Sequence, residues 1–219
     1  MPFQKNDFIE IEFTGKVKAG EIFDSNVSEE LKKLNPQAEA KPFILSLGNG
    51  MFLEGIENFL IGKEIDNYVI ELKPENAFGF RNPNLIQKMP LKVFFEHKIN
   101  PVPGAVFSFD NKIGKVLAVS SGRVMMDFNN PLAGKEVVYD VRVLRKVDDI
   151  DEKIKSLIEF LFKSNFNYKI EDKKIILEVG KGFKTFAELF KDKFKELLDL
   201  ELEVKEIEPK ELEGQEKNR

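Results

Sequence analysis

The residues able to do chemistry in this 219-residue chain are few in kind. There is no Cys and a single His, His97. That removes disulfides, thiol nucleophiles, Cys/His zinc sites and any His-dependent triad. What remains is chemistry by carboxylates, hydroxyls, backbone groups and apolar surface. The apolar surface is the unusual resource, with 21 Phe, 3 Tyr and no Trp. Burying such a ring is worth about 1.5–3 kcal/mol, so most belong to the core and a minority to a binding surface. Phe13, Phe23, Phe43 and Tyr139 fall on alternating, strand-like runs and by themselves read as core. Asp24, directly after Phe23, reads by itself as the acceptor of an Asx turn. His97 reads as a solvated loop residue, and no metal site is expected.

Charge narrows the partners. Lys and Arg total 34 against 38 Asp and Glu, a formal charge of −4. Neither the part up to residue 148 nor the part beyond it has the basic excess that nucleic-acid binding needs. Apolar residues make up 42% and charged ones 33%, enough for a core and a soluble surface. Residues 1–7 lack the apolar run of a secretory signal, and no stretch approaches the roughly 20 apolar residues of a membrane helix. The expectation is a cytoplasmic protein without membrane or nucleic-acid partners.

The elements that must position these residues follow from periodicity. Residues 7–13 alternate with period two and read as a strand, followed by a turn at Ala19-Gly20 and a run from Ile22 to Asn26. Ser28 reads as the N-cap of a short helix that Asn35-Pro36 stops. Residues 41–47 read as a strand ending at Gly48-Asn49-Gly50. A helix over 51–60 carries Leu53, Ile56, Phe59 and Leu60 on one side, with Gly62 as its C-terminal cap. A strand over 67–72 leads to the loop 74–79. Residues 82–132 change character: X-Pro pairs punctuate short β-rich runs at 106–109, 113–119 and 124–128, with hairpin turns at Asp110-Asn111 and Ser121-Gly122. Residues 137–144 then resume the earlier alternation, which implies an inserted domain in a discontinuous parent. Beyond Asp149 the order reads α-β-β-α-β. Asp151 is its expected N-cap, and Ile154, Leu157, Ile158, Leu161 and Phe162 form one helical stripe. Phe183, Phe186, Phe190, Phe194 and Leu197 form another, and Phe160 falls off the first. The residues after Pro209 read as a frayed tail.

Six segments in order resemble the FKBP-type peptidyl-prolyl isomerases. They are Phe8-Ile-Glu-Ile-Glu-Phe-Thr-Gly15, Gly20-Glu-Ile-Phe-Asp-Ser25, Pro42-Phe43 to Leu47-Gly48, Leu53-Glu-Gly-Ile-Glu57, Ala77-Phe78-Gly79 and the strand around Tyr139-Asp140-Val141. Asn84-Leu-Ile-Gln-Lys-Met-Pro90 and Asn129-Asn-Pro-Leu-Ala-Gly134 resemble the edges of the insert-in-flap chaperone domain of SlyD proteins and long archaeal members. The implied fold is α+β: an antiparallel sheet wrapped on a short helix, an inserted β-rich domain, and the C-terminal α-β-β-α-β unit. The implied domains are 1–84 with 132–148, the insert 85–131, and 149–219. The resemblance assigns catalysis to Phe23, Asp24, Phe78 and Tyr139. It assigns substrate binding to Phe13, Phe43, Phe52, Leu53, Ile56 and Leu132, with the Leu53 N–H holding a substrate carbonyl. No cofactor is implied. Phe13 and Phe78 stand where the family commonly has Tyr, and Ile56 where eukaryotic members have Trp. Each lost hydroxyl removes a hydrogen bond of about 0.5–1.5 kcal/mol, so a weaker enzyme is expected.

The implied chemistry suits the composition. Amide rotation has a barrier of about 18–20 kcal/mol, and X–Pro isomerisation limits folding over tens of seconds. A catalyst needs neither nucleophile nor proton; it must bind the twisted amide better than the planar one. The expected partners are unfolded or partly folded proteins with X–Pro bonds. The insert concentrates Met89, Phe94, Phe95, Met125 and Met126 in a domain too small to bury them all, so these are the expected chaperone surface, with an ordinary β core as the alternative reading. The C-terminal unit carries surplus apolar surface. Docking on the isomerase body would cover it, and so would a homodimer, which is the expectation. The rival to the enzyme is a holdase with a vestigial isomerase pocket.

Overall fold

The computed structural model describes residues 1–109 and 112–207. The turn expected at Asp110-Asn111 and the tail after Pro209 lie outside the described residues. The chain begins β1 (Phe8–Val17), β2 (Ile22–Ser25), α1 (Ser28–Leu34), β3 (Phe43–Ser46), α2 (Glu54–Leu60) and β4 (Asn67–Leu72). The middle holds β5 (Ile86–Pro90), α3 (Leu91–Glu96), β6 (Val106–Phe109), β7 (Lys112–Ser120) and β8 (Arg123–Asp127). It ends with β9 (Val137–Lys146), α4 (Ile150–Phe162), β10 (Asn167–Glu171), β11 (Lys174–Gly180), α5 (Lys184–Glu188), α6 (Lys191–Leu198) and β12 (Glu201–Ile207). Two compact units result. The first comprises Met1–Thr14, Asp24–Ile70 and the chain from Asp140 onward; the second comprises Gly15–Phe23 and Glu71–Tyr139.

The first unit is built on a sheet in the order β2-β1-β9-β4, with β3 antiparallel to β1. The β1/β3 register sets Phe8 opposite Ser46 and Ile11 opposite Phe43. Ile9, Ile11 and Phe13 turn inward while Glu10 and Glu12 stay partly solvated, as period-two alternation requires. Helix α2 buries Ile56 and Leu60 and is shorter than its sequence suggests. It starts after Leu53 because Glu57 takes up the backbone N–H groups of the preceding turn. Gly62 follows the cap at φ +82°, the left-handed position that favours glycine.

Two expected caps move. Ser28 is the first residue of α1, and Val27 is the cap, its N–H donating to Ser25 Oγ. Helix α4 is capped by Asp149, which accepts from the Glu152 N–H at 2.9 Å, and not by Asp151. Asp151 instead accepts from the Tyr168 hydroxyl at 2.8 Å. The C-terminal strands order β10-β11-β12, antiparallel and then parallel. Their core joins Ile154, Leu157, Ile158 and Phe162 to Ile175, Leu177, Val179, Leu202 and Val204. The single second helix expected there is two, α5 and α6, so the order is α-β-β-α-α-β. The break lets Phe183, Phe186 and Phe190 gather edge-on around Phe162, while Phe194 enters the core. Phe160 lies outside that core, under the Lys163 ammonium.

The second unit carries an antiparallel sheet, β5-β8-β7-β6. Ser121 and Gly122 turn the β7/β8 hairpin at φ 49° and 71°, the two positive values of a type I′ turn. Strand β5 and helix α3 have no strong periodicity and are visible only once folded. The chain before β5 and the chain after β8 are joined by Asn129. Its side chain accepts from the Asn82 N–H at 2.7 Å and donates to the Asn82 carbonyl and to Asp127. Arg81 pairs with Asp127 beside it.

Candidate functional site

The aromatic residues singled out above form two trios, one in each unit. In the first unit Phe13 lies 4.7 Å from Phe52 and 6.4 Å from Phe43, ring centre to ring centre, and Phe43 and Phe52 are 5.7 Å apart. Asn26 holds Phe13 in place. Its Oδ1 accepts from the Phe13 N–H at 2.6 Å, its own N–H donates to the Phe13 carbonyl, and its Nδ2 donates to the Ile11 and Lys41 carbonyls. Strand β1 is thereby tied to the chain entering β3.

Asp24 lies within β2, half-buried, and so makes a strand rather than the Asx turn. Burial pushes its carboxyl above the ordinary aspartate value, against a Ser25 N–H that favours the charged form.

Leu53 caps α2. Its carbonyl accepts from the Ile56 and Glu57 N–H groups, and its own N–H has no protein acceptor among the described residues. Ile56, expected to line the pocket, is fully buried in the core; it backs the site and presents no surface to a ligand.

The residue that sequence reasoning missed is Glu57. It is 1% exposed, yet its carboxylate accepts from the backbone N–H groups of Asn49 at 2.9 Å, Gly50 at 3.1 Å and Phe52 at 2.6 Å. Three donors suffice to hold a buried carboxylate. The available signal was a carboxylate four residues after Leu53, on the apolar side of α2.

In the second unit Phe23 stands edge-on to Phe78 at 5.6 Å and to Tyr139 at 5.8 Å. Gly15 makes this possible, because a Cβ there would lie 2.7 Å from the Tyr139 ring, closer than carbon atoms approach. The Phe78 loop is closed by Gly79 N–H to the Pro74 carbonyl at 2.7 Å and by Gly134 N–H to the Gly79 carbonyl at 2.8 Å. Leu132 is half-buried in the turn that the Asn130 side chain organises.

The expected chaperone surface needs correction. Phe94 and Met126 are wholly buried and form the core of the insert with Val116 and Val124. Met89 packs half-buried against that core, and Met125 is half-buried. Phe95 is 58% exposed, one helical step of about 100° from Phe94. Other exposed apolar side chains of the unit include Val102, Val106 and Ile113, the last 67% exposed. Alternation decides this on β8, where Val124 and Met126 face inward and Met125 outward.

Comparison with known proteins agrees with this architecture. The family described as FKBP-type peptidyl-prolyl cis-trans isomerase matches residues 2–99, and that described as FKBP26, IF domain, matches residues 87–132. A short-type peptidyl-prolyl cis-trans isomerase of Methanocaldococcus jannaschii is 30% identical over 144 residues, spanning 64% of this chain and 91% of its own. An FKBP-type 16 kDa peptidyl-prolyl cis-trans isomerase of Escherichia coli is 29% identical over 147 residues, with the same coverage. The SlyD isomerase of Pasteurella multocida is 29% identical over 150 residues, 66% of this chain and 69% of its own. Among the described residues no helix is long and apolar enough to cross a membrane.

Proposed function

The chain belongs to the FKBP-type peptidyl-prolyl cis-trans isomerase family, and from that premise we propose that it accelerates X–Pro isomerisation in folding proteins by binding the twisted amide in apolar, aromatic surroundings. Phe23, Asp24, Phe78 and Tyr139 act on the prolyl bond. Phe13, Phe43, Phe52, Leu53 and Leu132 bind the substrate, with Ile56 behind them. Low polarity disfavours the more dipolar planar amide, so the transition state gains relative to the ground state. An acceleration of 10⁵ requires about 7 kcal/mol of that preference. The observation that carries the reading is Leu53, whose N–H has no protein acceptor among the described residues, follows a residue of the first ring trio and is available to a substrate carbonyl. Phe13 and Phe78 lack hydroxyls, which fits a modest catalyst.

In this reading the isomerase domain is 1–84 with 132–148, and the insert 85–131 holds clients through Phe95 and the other exposed apolar side chains of that segment. A held client presents its prolines again without fresh encounters. The C-terminal module, 149–219, pairs with a second copy. A holdase with a vestigial pocket is the second reading, favoured by the missing hydroxyls. The deciding experiment is refolding of a proline-limited protein with catalytic amounts of this chain. The expected result is a faster slow phase; an unaltered slow phase with suppressed aggregation would leave only the holdase.

A further inference from the structure

The turn that leads into Leu53 is held from two sides, and one of the holders belongs to the C-terminal module. Gly48 and Gly50 adopt φ +76° and +69° around Asn49, so the turn is tight and left-handed. From within, the Glu57 carboxylate takes up the Asn49, Gly50 and Phe52 N–H groups. The Asn49 side chain is saturated as well. Its Nδ2 donates to Asn6 Oδ1 at 3.1 Å, Ser46 Oγ at 2.9 Å and the Leu47 carbonyl at 3.1 Å. Its Oδ1 accepts from the Lys193 ammonium of α6 at 2.6 Å. The chemistry fixes the amide orientation, since Lys is only a donor and the opposite side offers acceptors. A charge-assisted bond to Oδ1 polarises the amide and strengthens the bonds that its two N–H groups share among those three acceptors.

Lys193 is 31% exposed and reaches Glu196 at 3.4 Å on its other side. The module is anchored to the rest of the first unit elsewhere too. Arg145 bridges Glu10 of β1 and Glu152 of α4, the Lys153 ammonium lies 5.6 Å over the Phe8 ring, and α4 packs on β3. Lys193 is therefore delivered to the turn by a body that is itself docked.

We propose that Lys193 is a positioning residue for the isomerase: through Asn49 it fixes the turn 48–52 and so the direction of the Leu53 N–H. This deepens the functional reading above and rests on it for the consequence for catalysis, though not for the order of the turn. The C-terminal module thereby becomes part of the catalytic architecture.

The test uses the full chain with Lys193→Met, which keeps the apolar stem, Lys193→Arg, which restores a donor, and Lys191→Met as a control on the same helix. Lys193→Met should lower kcat/KM on a proline tetrapeptide by about three- to tenfold. It should also speed amide hydrogen exchange at Asn49, Gly50 and Phe52 by a similar factor, while exchange in β10–β12 stays unchanged. Lys193→Arg should recover most of both, and Lys191→Met should match wild type. Unchanged exchange at those three amides in Lys193→Met would overturn the proposal. So would exchange that rises through the whole module, which would make Lys193 a general stabiliser. Wild-type chain without isomerase activity would defeat the functional reading instead, while the exchange result would still decide whether Lys193 orders the turn.

Discussion

At the scale of single residues, polarity decides more than reactivity. Asp24 is half-buried beside Phe23 on β2, and its carboxyl sits above the ordinary aspartate value because burial disfavours the charge. A carboxyl raised on folding binds its proton more tightly in the folded state, so its contribution to stability is present below the unfolded value and lost as pH rises through the folded one. Asp24→Asn should therefore melt at a higher temperature than wild type at pH 7 and at the same temperature near pH 3. Its kcat/KM should fall less than that of Phe23→Ala, because the proposed mechanism draws its transition-state preference mainly from ring surface. A larger loss for Asp24→Asn than for Phe23→Ala would make the carboxylate, and not the apolar surface, the centre of the mechanism.

At the scale of elements, adjacent residues on one helix or strand have opposite duties. Phe94 and Phe95 are neighbours on α3, one sealed against Val116, Val124 and Met126 and the other facing solvent. Phe94→Ala should destabilise the insert by about 3–5 kcal/mol, measured by denaturant unfolding. Phe95→Ser should change stability by no more than about 0.5 kcal/mol yet weaken suppression of client aggregation several-fold. Full suppression by Phe95→Ser would move the client surface away from α3. The Asn82–Asn129 clasp and the Arg81–Asp127 pair join the chain leading into β5 to the chain leaving β8.

At the scale of the whole molecule, the proposed dimer would need apolar surface that docking leaves uncovered. Part of the C-terminal module's apolar surface is covered by docking α4 on β3. Phe186 and Leu189 remain exposed, the latter at 73%, and they are the side chains of the module that the proposed dimer would cover. The full chain should sediment as a dimer and Leu189→Glu as a monomer. A monomeric wild type would overturn the dimer, and a dimer that survives Leu189→Glu would place its interface elsewhere.

Local chemistry by itself determined much of this protein. Period-two runs announced β1 and β9, the Ser121-Gly122 pair announced a hairpin, and the order of six short segments announced the family. These signals depend on neighbours within a few residues, where backbone sterics and alternation act directly. Other assignments depended on distant partners. Asp149 outcompetes Asp151 as a cap because the Tyr168 hydroxyl occupies Asp151. Ile56 turned out to be sealed, and Phe94 and Met126 proved to be core, because burial is a property of the packed sheet and not of residue type. Glu57 and Lys193 were invisible as positioning residues: a carboxylate and an ammonium read as solvated surface until folding brings backbone donors to one and an amide oxygen to the other. Tertiary structure decides such roles because desolvation and hydrogen-bond satisfaction exist only once the partners, 144 residues apart for Asn49 and Lys193, have met.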